Sequence, residues 1–302
     1  MFTVGIIGKN GQLGKALLHQ SPGDNVAVEV FGRASCDIAE RNSVEQSLGN
    51  KALDMVVNAA AYTAVDQAEK EPERAYAVNA QGPANLASFC ARQYIPLIHI
   101  STDYVFDGTK TTAYRESDAL APLGVYGASK AQGEDNVRNL LARHVIIRTS
   151  WLYSATGHNF VKTMLRLGRE KSVLKIVDDQ HGCPTSAADL ADGIWQIVAA
   201  VRRDERSFWG TYHFCNQGET TWYGLAQAVF ERVRVYSGYA LQMKQLLPIP
   251  TSAYPTPARR PAYSVLNCDH IQSTFQMKIR RWQSALYDTM DALMDLTMKD
   301  AL

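Results

Sequence analysis

The stretch that most narrows what this chain can fold into is Gly8-Lys9-Asn10-Gly11-Gln12-Leu13-Gly14. The apolar run Phe2 to Ile7 precedes it and the helix-forming run Lys15 to Gln20 follows, so the three glycines fall at a strand-to-helix junction. Glycine permits a tight turn and close approach of a ligand to the backbone, and the free amides at the helix start favour a pyrophosphate. Gly8, Gly11 and Gly14 are therefore expected to bind a dinucleotide. The fold they predict is α/β, a Rossmann-type doubly wound parallel sheet.

The next apolar run, Val26 to Phe31, ends in Gly32-Arg33, roughly twenty residues past the turn, where such folds meet the adenosine ribose. A carboxylate there would hold a ribose diol. Arg33 instead suits a 2'-phosphate, favouring NADPH over NADH, or else it stands in solvent. Asp37-Ile38 can reach the adenine, with Asp37 accepting from the exocyclic amine, and Asp37 is also placed to cap a helix running from Glu40. Met55 to Asn58 reads as a buried strand opening into Ala59-Ala60-Ala61-Tyr62-Thr63, whose small side chains leave room for a flat ligand. Asn79, within the helical stretch from Pro72 to Cys90, is either a surface residue or a polar prop behind the site.

Chemistry enters at Ser101-Thr102-Asp103, after the strand Pro96 to Ile100, and at Tyr126-Gly127-Ala128-Ser129-Lys130. Residues four apart share a helical face. The Lys130 ammonium is thus expected beside the Tyr126 phenol, drawing its pKa down from about 10 towards the operating pH and making it a general acid or base. Thr102 would donate to a carbonyl oxygen, Lys130 would orient the nicotinamide ribose, and the hydride would come from the cofactor. A Tyr-x-x-x-Lys alone is common in helices; its place downstream of the glycine turn gives it weight. Trp151, at a strand end, either shapes a ligand site or packs in the core. Arg259 and Arg260, in the proline-rich loop Thr251 to Ser264, either clamp a diphosphate or keep the surface soluble.

A chain of 302 residues suits one large domain and a smaller companion. The expected division is a dinucleotide-binding domain over 1–170, completed by about 187–215, and a smaller, mostly C-terminal substrate-binding domain from 171–186 and 216–302. A formal net charge of +1 gives no field for nucleic acid or an anionic membrane, and no apolar run reaches spanning length. A cytoplasmic enzyme is expected. The five cysteines are scattered without Cys-x-x-Cys spacing, which predicts free thiols rather than a metal site.

Taken together these stretches resemble the extended short-chain dehydrogenase/reductases, and within them the dTDP-4-dehydrorhamnose reductases, across almost the whole chain. The glycine turn and Tyr-x-x-x-Lys mark only the superfamily. Narrower matches are Gly-Gln-Leu-Gly at 11–14, Asn58 to Asp66, Ser101 to Gly108, Arg148 to Trp151, Asp179-Gln180 with Pro184-Thr185, and Tyr254 to Pro261. The resemblance implies NADPH-dependent reduction, with NADH possible, of the C4 ketone of a dTDP-4-dehydro-L-rhamnose, closing the synthesis of an activated sugar for cell-surface polysaccharide such as O-antigen. It implies Tyr126 as proton donor, Lys130 as its partner and Thr102 as the carbonyl-side hydroxyl. It places Gly11, Gln12, Leu13, Asp37, Ile38, Ala61, Tyr62 and Thr63 on the cofactor, and Asp103 and Trp151 on the sugar nucleotide. Some members resemble magnesium-bridged dimers built on glutamates. The matching positions here are Ala16, Asp189 and Ala292, so a single carboxylate remains, no functional metal is expected, and the chain is expected to be a monomer or weak homodimer. The rival readings are another sugar-nucleotide reductase or epimerase, and a non-catalytic subunit like the regulatory one of methionine adenosyltransferase. A dehydratase would need Asp-Glu after the active threonine, where this chain has Asp103-Tyr104.

Overall fold

The computed structural model describes residues 1–20, 23–204, 208–237 and 239–299. Its centre is a six-stranded sheet. Strands β1 (Phe2–Ile7), β2 (Val26–Phe31), β3 (Met55–Asn58), β4 (Leu97–Thr102) and β5 (His144–Thr149) are joined at one edge by Gly210–His213, in the order Gly210–His213, β5, β4, β3, β1, β2. Every pairing in it is parallel. Parallel strands covered on both faces read as unbroken apolar runs, which is why β3 and β5 are buried at every position.

Alternate side chains feed two cores. Val4, Ile6, Val57, Ile98, Val145 and Ile147 meet Leu190, Ile194 and Ile197 of the helix Ala187–Arg203 on one face. Ile7, Val56, Leu97 and Ile146 meet Val44, Leu86, Phe89 and Val137 on the other. The chain leaves β1 towards β2 on one side and places β3 on the other, so the strand order reverses between β1 and β3. Ligands of open α/β sheets bind outside the carboxyl ends at such a switch point.

A third apolar cluster joins Val161, Met164 and Leu165 to Leu225, Val229 and Phe230, and to Trp282, Leu286 and Met290. The helix Phe160–Glu170 enters it by spacing: Val161, Met164, Leu165 and Gly168 are its buried residues, and Asn159 caps it by accepting from the Lys162 amide at 3.0 Å. Two strands absent from the sequence reading, Val173–Val177 and Gln245–Ile249, pair in parallel beside it. This packing draws Phe160–Glu170 into the third cluster, while Val265 to Ile279 pack on the sheet's core. Among the described residues no helix is long and apolar enough to cross a membrane.

Candidate active site

The crevice at the switch point, about 380 Å³, is walled by Gly8, Asn10 and Gly11 after β1, by Gly32, Arg33 and Asp37 after β2, and by Ala59 to Ala64 after β3. Gly8 has φ +93°, and a Cβ there would lie 2.7 Å from the Ala60 nitrogen. A Cβ on Gly14 would meet the Gly8 carbonyl at 2.2 Å, so that glycine is required for the helix Gln12–His19 to sit on the turn. Gly11 is different. Its φ of −73° is ordinary, and an added Cβ would touch only Gly8 O, at 3.4 Å. Neither backbone nor packing asks for glycine there, whereas the close approach of a pyrophosphate does. The residues present thus fit a dinucleotide.

Gln12 and Leu13 contribute backbone to this turn rather than side chains. Gln12 Oε1 accepts from Ser154 Oγ at 3.0 Å and Asn159 Nδ2 at 2.9 Å, tying the turn to the segment before the helix Phe160–Glu170, and Leu13 is in the core. Arg33 donates to Asp37 at 3.2 Å with two-thirds of its side chain exposed. Asp37 does not cap the helix Arg41–Leu48; its Oδ1 accepts from the Ala39 amide within the turn, and Ile38 is buried. Tyr62 and Thr63 line the crevice with Ala61, and Arg74, missed in the sequence, lies over the Tyr62 ring at 5.5 Å. Asn79 proves to be the polar prop. A π-helical turn at Ala77–Gln81 carries it inward, where Oδ1 accepts from Tyr62 N at 2.8 Å and Nδ2 donates to Tyr62 O and to Ser129 Oγ. Such single π turns recur at functional sites because they re-aim one side chain.

The helix Val125–Leu140 brings Tyr126 and Lys130 to the end of β4. The Tyr126 hydroxyl lies near enough to the Thr102 side chain to feel it, and its ring stands edge-on to Tyr104 at 5.5 Å. The expected lowering of the phenol by Lys130 is not what the structure gives. Burial pushes Tyr126 up to about 12, with Thr102 opposing and Asp103 assisting. The Lys130 amine is engaged elsewhere, donating to Ile100 O at 2.6 Å, and burial brings it down to about 8 while Glu134 works to raise it. A phenol so protected is protonated at neutral pH and suits proton donation. Behind it, Glu134 is buried against Arg148 (2.7 Å) and Ser101 (2.5 Å); burial works to raise its carboxyl, and Arg148, Ser101 and Arg138 hold it below the usual value.

Asp103 is almost wholly buried, and burial pushes its carboxyl up to about 6. Oδ1 accepts from Thr102 Oγ1 at 3.1 Å. Ser264 lies near enough to favour the carboxylate, yet Oδ2 has no well-formed hydrogen bond among the described residues. Arg260 donates to Thr256 Oγ1 and pairs with Asp66 at 2.8 Å, so its charge is already met; Arg259 is exposed. Arg260 also borders a cavity of about 710 Å³ with Phe160, Gln180, Trp222, Ile249 and Tyr254. Trp151, at φ +47°, stacks flat on Trp222 with ring centres 3.6 Å apart, and Trp222 Nε1 donates to Gln180 at 3.2 Å. Sequence spacing linked none of Phe160, Gln180 and Trp222.

The scattered cysteines also converge in part: Cys215 and Cys268 sulfurs lie 3.6 Å apart with Cys183 adjoining, buried free thiols in the core. Asp189 does not offer itself to magnesium. Arg280 donates to both its oxygens, at 2.7 and 2.8 Å, and also pairs with Asp288, so a guanidinium fills the cation's role and the donor set does not fit the metal.

A parallel sheet reversing its order beneath a glycine turn, with Thr, Tyr and Lys at the next strand end, defines a nucleotide-dependent oxidoreductase of the extended short-chain dehydrogenase/reductase class. Residues 2–294 match the family model described as RmlD substrate binding domain. The chain is 42% identical over 297 residues to the dTDP-4-dehydrorhamnose reductase of Sinorhizobium fredii, covering 98% of this chain and 99% of that one. To the enzyme of the same name from Salmonella typhimurium it is 40% identical, covering 92% and 93%. The dTDP-4-dehydrorhamnose reductase of Bacillus anthracis, solved in complex with NADP, superposes with a TM-score of 0.87 at 36% identity, covering 97% of this chain and all of that one. The chain belongs to the dTDP-4-dehydrorhamnose reductase family.

Proposed function

We propose that this protein reduces the C4 ketone of dTDP-4-dehydro-β-L-rhamnose to dTDP-β-L-rhamnose with NADPH, completing an activated deoxysugar for cell-surface polysaccharide. The observation that carries the chemistry is the placing of Tyr126 and Lys130, on the helix Val125–Leu140, at the end of β4 with Thr102, where Thr102 bears on the buried and protonated phenol; β4 is the strand beside β3, whose end walls the switch-point crevice. Gly8, Gly11 and Gly14 would hold the pyrophosphate of a nicotinamide dinucleotide, which in its reduced form would supply the hydride. Thr102 donates to the ketone oxygen as negative charge develops there, and Tyr126 delivers the proton that makes it a hydroxyl. Lys130 steadies the phenolate left behind.

Asp103 Oδ2, buried and without a well-formed bond, suits a sugar hydroxyl, and the Trp151 and Trp222 pair gives a flat wall for the substrate. Arg259 and Arg260 take the diphosphate, the second by sharing the charge it now gives to Asp66. Arg33 and Asp37 meet the adenosine end, where Arg33 favours the 2'-phosphate. The test is oxidation of NADPH, then of NADH, by the purified protein with dTDP-4-dehydro-L-rhamnose. One NADPH consumed per ketone reduced is expected, with a slower rate on NADH; no oxidation of either refutes the reading and favours a non-catalytic binding role.

A further inference from the structure

Lys130 Nζ is held between two groups of β4, and one of them is set from a distance. Asn58, at the end of β3, accepts through Oδ1 from the backbone N–H of Ala60 at 3.1 Å. That fixes its Nδ2 as the donor end, because the flipped amide would set two donors against each other. Nδ2 lies 3.0 Å from His99 Nδ1, so this ring nitrogen accepts and carries no proton. Burial, with Lys130 and His144 nearby, keeps the ring neutral, and a neutral imidazole then bears its proton on Nε2. Nε2 lies 3.5 Å from Lys130 Nζ, and on its other side Nζ donates to Ile100 O.

A neutral amine satisfies both neighbours, donating to the carbonyl and accepting from the imidazole. An ammonium satisfies only the first, since it has no lone pair for an approaching N–H. We propose that Asn58 and His99 are positioning residues that present an N–H to Lys130 and thereby set the pH at which its ammonium is lost. The proposal rests on the reductase reading for its kinetic consequence alone. The other groups facing Lys130 act separately: Glu134 on its own helix favours the ammonium and Tyr126 there is a neutral phenol. Arg138 of that helix and Arg148 of β5 reach it only through Glu134. Ala60 also walls the crevice, so one hydrogen-bonded line runs from the cofactor's side of the sheet to the catalytic amine.

Asn58→Asp tests the tautomer without changing shape. One carboxylate oxygen keeps Ala60, the other accepts from His99 Nδ1–H, and Nε2 becomes an acceptor for the ammonium. The alkaline limb of kcat/KM, expected near pH 8 in the parent, should move up by about one pH unit. His99→Leu, which removes the N–H and adds no charge, should move it in the same direction. A limb that stays in place while kcat falls would show a merely structural role and overturn the proposal. Nitrogen-15 NMR of the parent protein decides the matter if either variant fails to fold or if no substrate is turned over. His99, assigned from the signal missing in His99→Gln, should show the Nε2–H tautomer between pH 6 and 9. The Nδ1–H tautomer or an imidazolium would overturn the proposal whatever the enzyme's activity.

Discussion

Backbone and small side chains wall one end of the first hollow of this molecule, and large side chains wall the second. At the switch-point crevice Gly8, Gly11 and Ala59 to Ala61 leave almost nothing with a rotamer to lose, so that end of it forms as β1 and β3 pair, and side chains such as Arg33 and Tyr62 close the rest. The larger cavity beside Arg260 is assembled from Phe160, Trp222, Ile249 and Tyr254, brought from three distant stretches of chain. A hollow of the first kind should fail abruptly when a single atom is added, and one of the second kind should weaken by degrees. Tyr126 stands where the two requirements meet, since both cofactor and sugar must be in place for its proton to be of use.

The sharpest test is at that junction. Tyr126→Phe should lower kcat by about 10²–10⁴-fold while leaving NADPH affinity as it was, measured by turnover and by fluorescence titration. Gly14→Ala probes the backbone-built side: with a Cβ 2.2 Å from Gly8 O, it should cost about 1–3 kcal/mol of stability and weaken NADPH at least about tenfold. Equal affinity in that variant would break the contrast. On the side-chain-built side, Arg260→Met should raise KM for the sugar nucleotide about tenfold and leave cofactor binding alone, the loss expected of one charge-assisted contact.

The smallest effect concerns Asp103. Its carboxyl is raised in the folded protein, so the native state binds more protons than the unfolded chain between the ordinary carboxylate value and about 6. Stability from this group is therefore full at low pH and lost as pH rises through that window. Asp103→Asn should raise Tm by about 1–3 °C at pH 7.5 and change little at pH 4, read by calorimetry. A lower Tm at pH 7.5 would mean that the carboxylate is better paired than its buried Oδ2 shows.

The same contrast explains what could be read in advance. Gly8 to Gly14 and the Tyr126 to Lys130 interval are local, and their spacing alone fixes the geometry they need. Arg260 with Asp66, 194 residues apart, has no such local signature, and neither does Trp151 on Trp222. The inward turn of Asn79 depends on a π-helical turn that periodicity does not mark. The expectation for the Tyr126 phenol failed for another reason. Helical spacing sets which residues share a face but not how dry that face is, and here burial outweighs the neighbouring amine, which Ile100 O holds.

Arg280, clasped between Asp189 and Asp288, has a consequence for how this protein meets its surroundings. Its positive partner is built in at translation rather than gathered from solution, so the charge that meets Asp189 is always at hand.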